Sequence, residues 1–145
     1  MTSSELKNTA IRLLHRREHS FCELQEKLKQ RGYLEDEISQ VLCECQRLNY
    51  QSDERFTSMF IRNEYRKGYG FQRVKMKLKQ LHQIPISLID QVYQELELDW
   101  FELLTRVLQK KFPQLDRKSQ RDYQKAYQFL QYRGFCSDEI REVLS

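Results

Sequence analysis

The chain has 145 residues, 39% hydrophobic and 32% charged, with only 4 glycines and 2 prolines. That is enough apolar material for a core with few chain breakers, which points to amphipathic helices joined by short turns and away from a sheet protein. Apolar runs are as short as Leu13-Leu14 or Leu103-Leu104, and the Met1-Thr2-Ser3-Ser4-Glu5 start is neither basic nor apolar, so we expect no bilayer span, no secretory signal and a cytoplasmic location.

In chain order, Ser3 or Ser4 is placed to cap a first helix carrying Leu6, Ala10, Leu13 and Leu14 on one face, with Arg16 and Arg17 suited to its negative C-terminal end. His15-Arg16-Arg17-Glu18-His19 spells H-x-x-E-H, a zinc-peptidase pattern that needs both histidines on one unbroken helix. Directly after it comes Ser20-Phe21-Cys22-Glu23, a capping box in which the serine accepts from the N–H at position 23 and Glu23 reaches back to the N–H of Ser20. A helix therefore ends where the metal site would need one to continue. We expect an accidental match, with His19 in a solvent-facing turn and no metal bound. The second helix buries Phe21, Leu24 and Leu28 and stops at Gly32, and the third starts near Glu35 and buries Ile38, Val41, Leu42, Cys45 and Leu48.

This arrangement returns twice. Shifted by 50, the positions Phe21, Leu24, Leu28, Leu34, Ile38 and Leu42 become Phe71, Val74, Leu78, Ile84, Leu88 and Val92; shifted by 102, they become Tyr123, Ala126, Leu130, Cys136, Ile140 and Leu144. The chain thus reads as all-α, three tandem three-helix repeats at 4–49, 53–98 and 100–145, stacked because each is too small to hold a core alone. In the second repeat the leading helix is capped near Ser52 or Asp53 and buries Phe56, Met59, Phe60 and Asn63 or its neighbours; in the third, Trp100, Leu103, Leu104, Val107 and Leu108 take that role until Phe112-Pro113. The second repeat lacks the glycine that the others carry as Gly32 and Gly134, and His82 stands there, with Pro85 restarting the chain.

Catalytic patterns are wanting. Cys22, Cys43, Cys45 and Cys136 show no C-x-x-C spacing, Gly68-Tyr69-Gly70 lacks the third glycine and the strand of a dinucleotide fingerprint, and His82 pairs with no nucleophile. No enzyme, cofactor or metal site is expected.

Charge supplies the functional signal. Between Arg62 and Lys79 stand seven basic residues and one acid, an excess larger than the +4 of the whole chain. In the helix starting near Phe71, the stripe Phe71, Val74, Leu78 and Leu81 faces inward, with Arg73 and Lys77 on one flank and Lys75 and Lys79 on the other. With Arg66 and Lys67 at the adjoining turn, this surface suits an anionic partner. Tyr65 and Tyr69 fit either stacking on bases or packing between helices.

These segments together, "LKQRGY" at 28–33, "YQSDERF" at 50–56, "RKGYGFQRVKMKLKQ" at 66–80, "ELDW" at 97–100 and "FLQYRGF" at 129–135, resemble RecX, the bacterial regulator of the RecA recombinase, over nearly the whole chain. The most specific elements are Asp53, Arg55 and Phe56, then Gly68 and Gly70, then Arg133-Gly134-Phe135. The family has Gly-Tyr-Leu-Asp-Asp where this chain has Asn49-Tyr50-Gln51-Ser52-Asp53; asparagine tolerates a left-handed turn and serine can cap, which preserves the local structure. The resemblance implies an elongated, curved body that binds in the helical groove of the RecA–DNA filament and modulates it, mainly by suppressing ATP hydrolysis, strand exchange and filament growth in recombination, repair and the SOS response. We expect Arg66, Lys67, Arg73, Lys75, Lys77 and Lys79 to face that partner. Asp53, Arg55, Phe56, Gly68, Gly70, Arg133 and Gly134 are read as structural, with Phe56 buried and Asp53 capping. A monomer is expected, with direct contact to single- or double-stranded DNA open to the same surface; the alternative is a helical DNA-binding protein without a recombinase partner.

Overall fold

The computed structural model describes residues 3–145, Ser3 by its backbone alone. The described residues form nine α-helices and no strand: α1 (Ser3–Arg16), α2 (Phe21–Gln30), α3 (Glu35–Arg47), α4 (Asp53–Lys67), α5 (Phe71–Gln80), α6 (Ile86–Leu96), α7 (Trp100–Lys111), α8 (Gln120–Arg133) and α9 (Ser137–Leu144). Ser3 and Ser4 stand inside α1 rather than ahead of it, and Met1 and Thr2, with the reading of the N-terminal start, lie outside the described residues.

Side-chain caps set the starts of four helices. Ser20 Oγ accepts from the Glu23 N–H at 3.0 Å, Ser52 Oγ from Arg55 at 3.1 Å, Asp99 Oδ1 from Glu102 at 3.0 Å, and Ser119 Oγ from Asp122 at 3.2 Å; each contributes about 1 kcal/mol. Only half of the capping box at Ser20 forms, because the Glu23 carboxylate turns to the Arg17 guanidinium at 2.5 Å instead of back to the Ser20 N–H.

Helices pack mainly within the triplets α1–α3, α4–α6 and α7–α9. The first triplet has its own core of Leu6, Ala10, Leu13, Leu24, Leu28, Ile38, Val41, Leu42 and Cys45. The other two triplets share one core that runs from Phe56 and Ile61 through Val74, Leu78, Ile89 and Trp100 to Leu104, Leu130 and Ile140. A compact monomer of 17.8 kDa exposes about 8,000 Å²; this chain exposes 9336 Å², as an elongated stack of small units must.

The repeat holds with one slip. Four residues, Arg31 to Leu34, separate α2 from α3, whereas five, Leu81 to Pro85, separate α5 from α6. The added residue puts the left-handed conformation on Gln83 (φ 53°) rather than on His82. From there the second unit runs at an offset of one more: Ile89, not Leu88, takes the fully buried position of Ile38, and exposed Leu34 corresponds to Pro85, not to buried Ile84. Leu48, expected in the core, stands past the end of α3 and is largely exposed. In α4 the buried residues are Phe56, Thr57, Ile61 and Glu64, whereas Met59, Phe60 and Asn63, also expected in the core, are only half-buried.

The second and third units are joined by main chain. Gly70 N–H donates to the Arg133 carbonyl at 2.8 Å and Gln72 N–H to the Gly134 carbonyl at 3.0 Å. A Cβ on Gly70 would lie 2.5 Å from the Gly134 carbonyl group, and one on Gly134 (φ 99°) would lie 2.3 Å from Arg73 Cβ. Beside this crossing an aromatic group of Phe71, Tyr93, Trp100 and Tyr65 closes the seam, with Phe71 and Tyr93 ring centres 4.2 Å apart and Tyr65 edge-on to Trp100 at 5.1 Å. The first unit meets the second through polar groups instead. Arg55 Nε pairs with Glu18 Oε2 at 2.9 Å and its guanidinium holds the Asn49 and Tyr50 carbonyls, while Asp53 Oδ1 accepts the Phe21 N–H at 2.9 Å. Asp53 therefore caps α2 of the preceding unit, not its own helix, which Ser52 caps.

Gly134→Ala is expected to lower stability by at least about 3 kcal/mol, since it adds a backbone collision to left-handed strain. Gly32→Ala, at an exposed turn with φ 94°, should cost only about 1 kcal/mol. Urea unfolding of the two variants checks the difference.

Candidate functional site: a basic cleft across two units

Where the second and third units meet, the C-terminal ends of α4 and α8 and one side of α7 border an open cleft of about 360 Å³. The end of α4 supplies Arg66, Lys67 and Gly68; α7 supplies Leu103, Arg106, Val107, Lys110 and Lys111; α8 supplies Phe129 and Arg133. Helical spacing explains each contribution, since 103, 106, 107, 110 and 111 share one side of α7, and 129 and 133 are one turn apart on α8. Each helix also has its own reason to carry cations there, because its C-terminal end is negative. Once the units stack, six cations line one cleft with no carboxylate among the described lining residues. Two lining cations have carboxylate partners: buried Glu64, in the last turn of α4, has Oε1 3.8 Å from Lys67 Nζ, and Glu102 lies 3.9 Å from Arg106.

Arg133 organises the floor. Its Nη1 donates to the Lys67 carbonyl at 3.2 Å, and its guanidinium carbon lies 5.1 Å from the Tyr69 ring centre and 5.3 Å from that of Phe129. Lys111 approaches the same Phe129 ring at 5.6 Å, while Arg73 lies 3.9 Å and Lys77 5.6 Å from Tyr69. The rings thus space a chain of cations from Lys77 and Arg73, past Arg133, to Lys111.

Of the six cations singled out from sequence, Arg66 and Lys67 line the cleft and Arg73 and Lys77 extend it past Tyr69. Arg73 is half-buried against the Gly134 crossing, its Nε enclosed without a hydrogen-bond partner, so it serves packing as well as charge. Lys75 and Lys79 project from the other flank of α5, with Lys75 3.8 Å from Asp90 of α6 and Lys79 exposed beside Met76. Sequence reasoning left out Arg106, Lys110 and Lys111 and gave Arg133 a structural role only. The signal for the first two was their spacing of four on the face that carries Leu103 and Val107; nothing local tied them to Arg66 and Lys67.

The tyrosines are committed to packing. Tyr65 Oη donates to the Asp99 carbonyl at 2.9 Å, and Tyr69 is covered by Arg73 and Arg133. Phe56 is 1% exposed in the core, and Gly68 (φ 89°) ends α4. The H-x-x-E-H histidines part company as the helix ending requires: α1 stops at Arg16, leaving His15 on it and His19 three residues beyond. His19 is not solvent-facing, however. It is 2% exposed, because the turn folds it under α2 against Lys27.

Comparison with known proteins now bears on this architecture. Residues 7–45 match the first three-helix domain of RecX and residues 97–144 its third three-helix domain. Over 136 residues the chain is 41% identical to the regulatory protein RecX of Legionella pneumophila (strain Corby), covering 94% of this chain and 90% of that one. The chain belongs to the RecX family. It is also 40% identical over 139 residues to the regulatory protein RecX of Vibrio vulnificus (strain CMCP6), covering 96% and 90% of the two chains, and 37% identical over 138 residues to that of Haemophilus influenzae (strain PittEE), covering 94% and 91%. Its backbone superposes on the crystal structure of RecX from Lactobacillus salivarius with a TM-score of 0.82 at 21% identity, over 98% of this chain and 94% of that one, a likeness of fold. A RecX regulatory role follows from these relatives. No helix among the described residues is long and apolar enough to cross a membrane.

Because Lys110 and Lys111 are exposed at a helix end, Lys110→Gln/Lys111→Gln should change stability by no more than about 1 kcal/mol. The same pair should release from immobilised heparin at clearly lower salt than the wild type. Thermal unfolding and the elution profile check the two halves of this expectation.

Proposed function

We propose that the protein is a cytoplasmic, monomeric regulator of the RecA recombinase that lies in the helical groove of the RecA–DNA filament and mainly restrains its ATP hydrolysis, strand exchange and growth, in recombination, repair and the SOS response. Family membership supports the regulatory role, and the observation that carries the contact is the cleft: six cations from three helices of two units, with no lining carboxylate among the described residues. Such a surface gains from polyanions by releasing their counterions. An elongated body with separated basic patches engages a periodic filament through several weak contacts, and linked contacts multiply through effective concentration. In this reading Arg66, Lys67, Arg106, Lys110, Lys111 and Arg133 form the main contact, Arg73 and Lys77 extend it, and Lys75 and Lys79 add a lesser one. The protein contributes position and charge and needs no cofactor.

The test is steady-state ATP hydrolysis by RecA on single-stranded DNA, titrated with the wild type, with Lys110→Glu/Lys111→Glu and with Lys75→Glu/Lys79→Glu. The wild type should inhibit at substoichiometric amounts. Reversal in the cleft should raise the half-inhibiting concentration by about tenfold or more, the equivalent of about 1.4 kcal/mol, and reversal on the outer flank by less. Absence of any effect on RecA, together with steeply salt-dependent binding to naked DNA, would contradict the proposal and favour a direct DNA-binding protein.

A further inference from the structure

The joint between the first unit and α4 holds two of the three histidines, and filament binding uses neither. His19 Nδ1 lies 3.0 Å from the Arg17 carbonyl oxygen, and its Nε2 lies 3.0 Å from the Lys27 ammonium. A carbonyl only accepts and an ammonium only donates, so the buried ring is a neutral imidazole with its proton on Nδ1. Its own carbonyl accepts from Gln51 Nε2 at 3.1 Å; the same amide donates to Asp53 Oδ1 at 3.0 Å, and that carboxylate holds the Phe21 N–H. From the turn after α5, His82 reaches across to the first unit, its Nδ1 2.8 Å from Ser20 Oγ, with its ring 4.5 Å from the Phe56 ring centre and 5.4 Å from that of Phe60. The apolar cores on the two sides of the joint are separate, so these polar contacts, with Glu18–Arg55 and the Cys22 thiol directed at the Leu81 carbonyl, are what fixes the first unit to the rest.

We propose that this joint is a proton-operated hinge, in which protonation of His19 and His82 releases the first unit from α4 and lets it change its angle to the fused α4–α9 body. A proton on His19 Nε2 removes the acceptor that Lys27 uses and places two cations 3.0 Å apart. The ionisable groups around the pair are Arg17 and Glu18 of the turn between α1 and α2, Cys22, Glu23 and Lys27 of α2, and Asp53 and Arg55 of α4. Glu23 opposes the gathering of positive charge at His19, but it is already bonded to Arg17; Asp53 and Glu23 do the same at His82. Burial is the largest influence on both rings and holds both below the ordinary 6.5, with Arg17 and Lys27 adding to it at His19 and Arg17 at His82. The opened joint, with ordinary histidines, therefore binds protons more readily than the closed one. Closure is at full strength above 6.5 and is lost as the pH falls through the depressed values of the closed form.

The measurement is fluorescence energy transfer in the full chain between labels on Cys43, exposed on α3, and on Gln109→Cys, exposed on α7, with Cys22 and Cys136 replaced by serine. Transfer should be constant from about pH 8 to about pH 7 and change on further acidification with a midpoint below that of a free histidine. His19→Gln/His82→Gln, which cannot titrate there, should lose most of that change. Lys27→Met, which removes the cation that repels the protonated ring, should weaken the acid opening and move its midpoint downward. A flat response down to about pH 5 in the wild type, or the same transition in the double glutamine variant, overturns the proposal. Should the double variant fail to fold by circular dichroism, Lys27→Met decides alone, and a midpoint that stays where it was overturns the proposal.

Discussion

Everything in the α4–α9 body depends on two main chains crossing at Gly70 and Gly134 without a side chain between them. The hydrogen bonds from Gly70 to the Arg133 carbonyl and from Gln72 to the Gly134 carbonyl fix the third unit against the second at backbone distance, closer than any pair of side chains would allow. That approach lets a single apolar core run across six helices. It also aims Arg133 at the Lys67 carbonyl and so sets the C-terminal ends of α4, α7 and α8 around one opening. Each small unit alone would be marginal, and the crossing turns two of them into one rigid part.

The first unit is attached by different chemistry, with different mechanical consequences. Its core closes on itself, and its contacts with α4 are hydrogen bonds and an ion pair, which are directional and individually weak. A rigid body bearing the cleft, joined through a polar seam to a smaller unit, separates the tasks of holding charge and setting shape. Buried apolar area sets the stability of the former, and the protonation state of a few groups sets the geometry of the latter.

Much of this was legible in the sequence, for identifiable reasons. Caps at Ser20 and Ser52 are local, so their residues suffice to place helix starts, and the repeat shifts of 50 and 102 expose the three units because equivalent positions face equivalent cores. Asn49, read as tolerating a left-handed turn, has φ 65°. The one-residue insertion between α5 and α6 escaped notice because Leu88 and Ile89 are both apolar, so either register satisfies the pattern. The cleft was half visible: a run of cations in one segment stands out, whereas Arg106, Lys110 and Lys111 sit at an ordinary helix end and gain meaning only when α4 and α8 arrive beside them. His19 was misplaced because a capping serine announces where a helix ends but not whether the turn before it is covered, and the cover is supplied by Lys27 and Gln51, which lie 8 and 32 residues further along the chain.

The most direct test of the account is amide hydrogen exchange of the protein free and bound to RecA assembled on single-stranded DNA. The account predicts that binding slows exchange most strongly around the cleft, in the last turn of α4, in the second half of α7 and near Arg133, with little change along the exposed side of α3. Protection concentrated on α3, or on the outer flank of α5 around Lys75 and Lys79 while the cleft exchanges as in the free protein, would contradict it.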